Sequence, residues 1–234
     1  AVSVTLNKAT PTINVISISP SPSVTGQLYT ITFSVSHAAG TPTGDVTVDD
    51  GSDTTAGRCT GALSGGSGSC SIVSTAAGFD TLTLNYGGDS QFSTADKTNS
   101  HTVTKASSSV TIISDSADPS LTGQPYTVNV TVNAVSPGSG TPGGNVSVSD
   151  GEGGACTITL SDGSGTCDIT TDTTGTKTIS AAYNGDDDFI SSSDTETHEV
   201  GLASSETTII SDDPDPSAAG ENVEFVAQVA AIAP

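Results

Sequence analysis

The chain repeats itself at a spacing of 97 residues. PSPSVTGQLYTITFSVS, beginning at Pro20, returns as ADPSLTGQPYTVNVTVN from Ala117, and a third copy, PDPSAAGENVEFVAQVA, begins at Pro214. A period of this length means tandem modules, each the size of a small domain with room for its own core. A feature present in every copy therefore serves the module before it serves a ligand. Alignment of the copies divides the 234 residues into four pieces. Residues 1–8 read as the last strand of a preceding module, 9–105 as module one, 106–202 as module two, and 203–234 as the first strands of an incomplete third.

Inside a module the signal is alternation. Tyr126-Thr-Val128-Asn-Val130-Thr-Val132-Asn switches between apolar and polar at every step, as does Tyr29-Thr-Ile31-Thr-Phe33-Ser-Val35-Ser. Period two marks a strand with one face buried. A Val/Ile strand precedes each (Ile13 to Ile18, Val110 to Ile113), separated from it by a Pro/Gly turn ending at Gly26 or Gly123. Downstream come Val46/Val48 or Val146/Val148, an Asp-Gly turn, a hairpin, Leu82/Leu84/Tyr86 or Ile179/Ala181/Tyr183, and a last strand around Val103 or Val200. Seven short strands in about 97 residues, with turn signals every 8–12, predict an all-β fold of tandem immunoglobulin-like sandwiches.

The four cysteines form two pairs, Cys59/Cys70 and Cys156/Cys167, around the hairpin signals LSGGSG and LSDGSG. With the turns centred on Ser64–Gly65 and Ser161–Asp162, the cysteines of each pair face one another across the hairpin, close enough for a disulfide. Neither CxxC spacing nor neighbouring histidines favour zinc. Disulfides imply an oxidising, extracytoplasmic setting.

Module two strings together GQPYTVNVTV, SPGSGTPGGNVSVSDG, CTITLSDGSGTC, AAYNGDDDF and THEV. With its YxGDxxF element and paired cysteines it resembles the bacterial Ig-like domain repeats of large surface-exposed and secreted proteins. Module one departs in two places: its GTP loop is three residues shorter, and Ser90-Gln91 replaces Asp187-Asp188. The resemblance implies an extracellular spacer, stalk, fibre or adhesin. It carries over no ligand or substrate.

With 26 acidic residues against five basic ones, the formal charge is −21. Such a chain has no basic patch for phosphates or anionic membranes, so nucleic acid is a poor partner. No apolar run approaches the roughly 18 residues of a membrane span. Catalytic chemistry finds no signature either: no nucleophile, base and orienter stand together in the sequence, so an enzyme is not expected. His101 and His198 occupy equivalent positions and read as module features, and His37 has no recognisable partner. Tyr86 and Tyr183 read as core residues at strand ends, followed by a turn.

No tight metal site and no cofactor are expected, because no calcium loop of the D-x-[DN]-x-[DN]-G type occurs. The residues that would serve calcium are Asp186, Asp187 and Asp188 in one loop, with Asp115 and Asp118, or Asp212, Asp213 and Asp215, before the following strand. The expected function is structural: a segment of an extracellular filament, stalk or cell-surface fibre whose partners are further copies of the repeat. The alternative is an adhesin module gripping a glycan or a protein of a cell surface or matrix. Short joints (Lys105, Ala106, Ser107, then strand) predict restricted bending between modules. The partial copies at both ends predict either a longer polypeptide or a polymer completed by exchanged strands.

Overall fold

A computed structural model describes residues 7–52 and 54–232; most of the expected strand at 1–8 lies outside them. The chain divides into two compact units, built on the first and second repeats. In the first, strands β1 (Thr12–Ser19), β2 (Ser23–Val24), β3 (Leu28–Ser36), β4 (Asp45–Asp49), β5 (Arg58–Ala62), β6 (Ser67–Val73), β7 (Gly78–Tyr86) and β8 (Ala95–Thr104) follow one another. They form a three-stranded sheet, β1-β3-β6, and a five-stranded sheet, β2-β8-β7-β4-β5.

The second unit repeats this plan. Its strands are β9 (Ser108–Ser116), β10 (Ser120–Leu121), β11 (Pro125–Ala134), β12 (Asn145–Ser149), β13 (Ala155–Thr159), β14 (Ser164–Thr170), β15 (Gly175–Tyr183) and β16 (Ser192–Gly201). The sheets are β9-β11-β14 and β10-β16-β15-β12-β13.

Each module thus has eight strands where the sequence predicts seven. The extra one, β2 or β10, lies inside the predicted Pro/Gly turn. Pro20 and Pro22 cannot donate to a ladder, so β1 ends there and the chain crosses to the other sheet. Ser23 and Val24 then pair in parallel with Val103 and Thr104, as Ser120 and Leu121 do with Val200 and Gly201. This short strand carries the serine that matters below.

The alternating strands behave as predicted. Tyr29, Ile31, Phe33 and Val35 of β3 point inward onto Val46, Val48, Leu82, Leu84 and Tyr86. The corresponding Tyr126, Val128, Val130 and Val132 are equally buried. All four tyrosines of the chain lie in these cores.

The disulfides form as paired in the sequence, but in a different setting. Ser64 pairs with Ser67, and Ser161 with Ser164, so the turns are Gly65-Gly66 and Asp162-Gly163, one residue later than predicted. Both central residues have positive φ (61° and 78°; 50° and 73°), the requirement of a type I′ turn. Past the turn the strands part into different sheets. Cys59 opposes Val48 in one sheet while Cys70 opposes Ile31 in the other, with Cα atoms 5.8 Å apart. Cys156 and Cys167 do the same at 6.2 Å. Each disulfide therefore ties the two sheets of a sandwich together.

Of the third copy, β17 (Ser205–Asp213) and β18 (Glu224–Ala231) pair antiparallel. The irregularity that β1 shows between Val15 and Ser17 recurs between Ile209 and Ser211. Ile209, Phe225 and Val229 are exposed on this hairpin.

Candidate functional site

One group of buried polar residues gathers where β2 or β10 meets the last strand. In the first unit Ser23 Oγ and His101 Nε2 share a hydrogen bond of 2.8 Å, and the imidazole stacks on Tyr29 with centroids 4.1 Å apart. Ser23 and His101 are both buried, and His101 Nδ1 has no partner among the described residues. Burial pushes the His101 pKa down, against a smaller opposing pull from Asp80. The second unit repeats the motif: Ser120 Oγ to His198 Nε2 is 2.8 Å, and His198 stacks on Tyr126 at 3.8 Å. Its recurrence makes the Ser–His pair a module device that fastens the two-residue strand to the end of the sandwich.

The second unit adds acids to it. His198 Nδ1 lies 2.9 Å from Asp115 Oδ2 and 3.5 Å from Asp118 Oδ1. The Glu199 N–H donates to Asp118 Oδ1 at 2.9 Å. Ser120, His198 and Asp115 thus have the connectivity of a nucleophile, base and orienter, which the sequence did not reveal. Acyl transfer requires the hydroxyl to reach a carbonyl carbon. Ser120 and His198 are each 0% exposed, the ring is covered by Tyr126, and no substrate atom has an approach to Oγ. The arrangement is built for holding strands.

The calcium candidates are not gathered as the sequence suggested. Among the described residues, the cluster with cation-ligand geometry is Asp115, Asp118 and His198. Asp186, Asp187 and Asp188 are not members of that cluster. The Asp186 carboxylate accepts N–H bonds from Gly143, Asp188 and Phe189 at 2.7–2.8 Å. Asp212 and Asp213 lie on exposed β17, opposite Phe225 and Glu224, with exposed Asp215 just beyond.

Asp89 occupies the place of Asp186 in the first unit. Its carboxylate accepts N–H bonds from Thr43, Gln91 and Phe92 and a hydroxyl bond from Thr43. These donors, the Thr43 N–H foremost, hold its pKa well below the usual carboxylate range. Tyr86 is buried and donates to the Thr43 carbonyl at 2.7 Å, and burial pushes its pKa up to about 12. The Y-x-G-D element is thus a strand-end tyrosine and a carboxylate-capped turn, as the sequence reading favoured.

A second polar centre was not foreseen. Asp150, which opens the Asp-Gly turn after β12, is buried and accepts from the Glu152 and Gly154 N–H groups and the Thr171 hydroxyl. Lys177, 4% exposed, reaches Glu152 at 2.6 Å over the same loop. The predicted Asp-Gly turn was the visible signal. The burial of its aspartate was not.

Two sandwiches of identical strand order define an immunoglobulin-like β protein. The chain belongs to the bacterial Ig-like domain family, group 3, which matches residues 16–104 and 113–201. Its fold is similar to that of invasin, a bacterial integrin-binding protein, at 14% identity and a TM-score of 0.55 over 86% of this chain and 42% of that one. It also resembles a tetra-tandem repeat from the extending region of a large adhesion protein, at 16% identity and TM-score 0.46 over 95% of this chain and 62% of that one. The Escherichia coli adhesin FdeC matches at 19% identity and TM-score 0.35, over 90% and 70% of the two chains. The chain therefore spans less than half of invasin. No curated protein sequence matches it.

Proposed function

We propose that the chain is a non-enzymatic structural segment of an extracellular filament, stalk or cell-surface fibre, with modules at 9–105 and 106–202 between partial copies. The observation that carries this reading is the duplication itself. Both units place the same residue types in the same roles: the inter-sheet disulfide, the Tyr–His stack, the Ser–His bond and the capped Y-x-G-D turn. Residues spent identically on each module maintain the module, and repetition of modules makes length.

Two disulfides support an oxidising, extracytoplasmic site of action. The charge of −21 keeps neighbouring chains from coalescing. No helix is long and apolar enough to cross a membrane. The partners on this reading are further copies of the repeat.

The adhesin alternative rests on a single residue. Of the nine Phe and Tyr rings, only Phe79 and Phe225 are exposed, and Phe79 has no aromatic counterpart in module two, where Thr176 stands. The test is a glycan array and a surface-protein pull-down with the 234-residue chain. The structural reading expects no saturable ligand. A ligand lost on Phe79→Ser would establish the adhesin instead.

A further inference from the structure

We propose that Asp115, Asp118 and His198 form a binding site for a divalent metal of the zinc type, held through His198 Nδ1 and one oxygen of each carboxylate. The three ligand atoms lie within 4.8 Å of one another. A tetrahedral ion with bonds of about 2.0–2.2 Å keeps its ligand atoms ~3.3 Å apart. The observed separations from Nδ1, 2.9 Å to Asp115 and 3.5 Å to Asp118, straddle that value, so rotation of two carboxylates suffices to admit the ion.

The surroundings are those a ligating histidine needs. Coordination through Nδ1 requires the tautomer with its proton on Nε2, and Ser120 Oγ stands 2.8 Å from Nε2 to accept from it. Stacking on Tyr126 fixes the ring plane, and the Glu199 N–H orients Asp118. The buried imidazole (0% exposed) and the Asp115 side chain (12%) form the floor, while the Asp118 side chain (41%) leaves a way in from solvent and room for a water as fourth ligand.

The donor set also chooses the metal. Calcium takes roughly six to eight hard oxygens. One imidazole nitrogen with two carboxylates suits zinc, cobalt or nickel instead. Module one supplies the internal control: Ile18 and Ser21 stand where Asp115 and Asp118 stand, and His101 Nδ1 has no hydrogen-bond partner among the described residues. The device is a variation laid over the shared Ser–His pair, which sets it apart from the features both modules need. The third copy keeps both aspartates, as Asp212 and Asp215.

The experiment titrates zinc chloride into the chelator-stripped 234-residue chain in excess calcium chloride, by calorimetry and by two-bond 1H–15N spectra of its three histidines. The expected result is one calcium-resistant zinc per chain, with only the His198 Nδ1 resonance moving into the metal-bound range. Asp115→Asn and Asp118→Ser should each weaken binding at least tenfold. Absence of a saturable calcium-resistant site, or a shift confined to His37 or His101, overturns the proposal. The wild-type spectrum decides this even where a variant fails to fold.

Discussion

Exchanging one pair of core residues in module one for the pair that module two carries tests whether the two sandwiches are variants of a single design. Phe33 on β3 fills the space beside Gly61 and Gly68. A Cβ on Gly61 would lie 2.8 Å from the Phe33 ring and 2.6 Å from the Ser69 carbonyl, and one on Gly68 would lie 2.9 Å from the ring. In module two Val130 replaces the phenylalanine and Ile158 replaces Gly61. There a Cβ on Gly165 would meet Ile158 at 2.3 Å, so the isoleucine occupies the place of the ring.

Phe33→Val alone removes most of a ring and leaves a cavity, costing about 2–3 kcal/mol. Gly61→Ile alone drives a branched side chain into the ring and the β6 backbone, costing roughly 2–3 kcal/mol or more. Together they should restore the volume. The facing strands must also part by a few tenths of an ångström, in keeping with Cys Cα separations of 5.8 Å in one unit and 6.2 Å in the other. The double variant should lie within about 1.5 kcal/mol of the parent, a coupling of roughly 2.5–4.5 kcal/mol, at or above the top of the usual range for contacting residues. Because two units need not unfold together, the assay is amide hydrogen exchange of β3 and β6 in the whole chain. Coupling below about 0.5 kcal/mol would refute the claim that Ile158 and Phe33 fill equivalent space.

Three further outcomes follow from the same geometry. Non-reducing peptide mapping should link Cys59 to Cys70 and Cys156 to Cys167, and reduction should cost each module about 2.5–3 kcal/mol by the chain-entropy model, read as a fall in melting temperature; free thiols or a link between modules would contradict it. His101 is held neutral by burial, so its folded pKa lies below the unfolded value of about 6.5; the unfolded state then binds more protons, and module-one stability should fall as pH drops below about 6.5, a dependence that hydrogen exchange should find absent in His101→Phe. Millimolar calcium should leave the melting temperature unchanged, since the Asp186 and Asp89 carboxylates are already engaged by three backbone donors each; a rise of several degrees would show a calcium site.

What the sequence made legible was whatever depends on near neighbours. The alternation in β3 and β11 placed Tyr29, Ile31 and Phe33, with Tyr126, Val128 and Val130, in the core, and the shared spacing of 11 favoured pairing Cys59 with Cys70 and Cys156 with Cys167. Two things escaped. Strands β2 and β10 are two residues long beside prolines, too short for any period to show, and they exist because the last strand offers a free edge. The Asp115–His198 contact joins residues 83 apart on strands that meet only after both sheets have formed. The clue available was Ser23 recurring as Ser120 in step with His101 and His198. The hairpin turn was misplaced by one residue because both central positions need positive φ, which Gly65-Gly66 and Asp162-Gly163 satisfy and Ser64-Gly65 does not.

The central claim is that this chain supplies length, not a binding tip. Immunogold electron microscopy on the native source, with antibody raised against the 234-residue chain, tests it most directly. The structural account predicts label distributed along thin extracellular filaments or stalks. Label confined to filament tips, or found only inside cells, would contradict it.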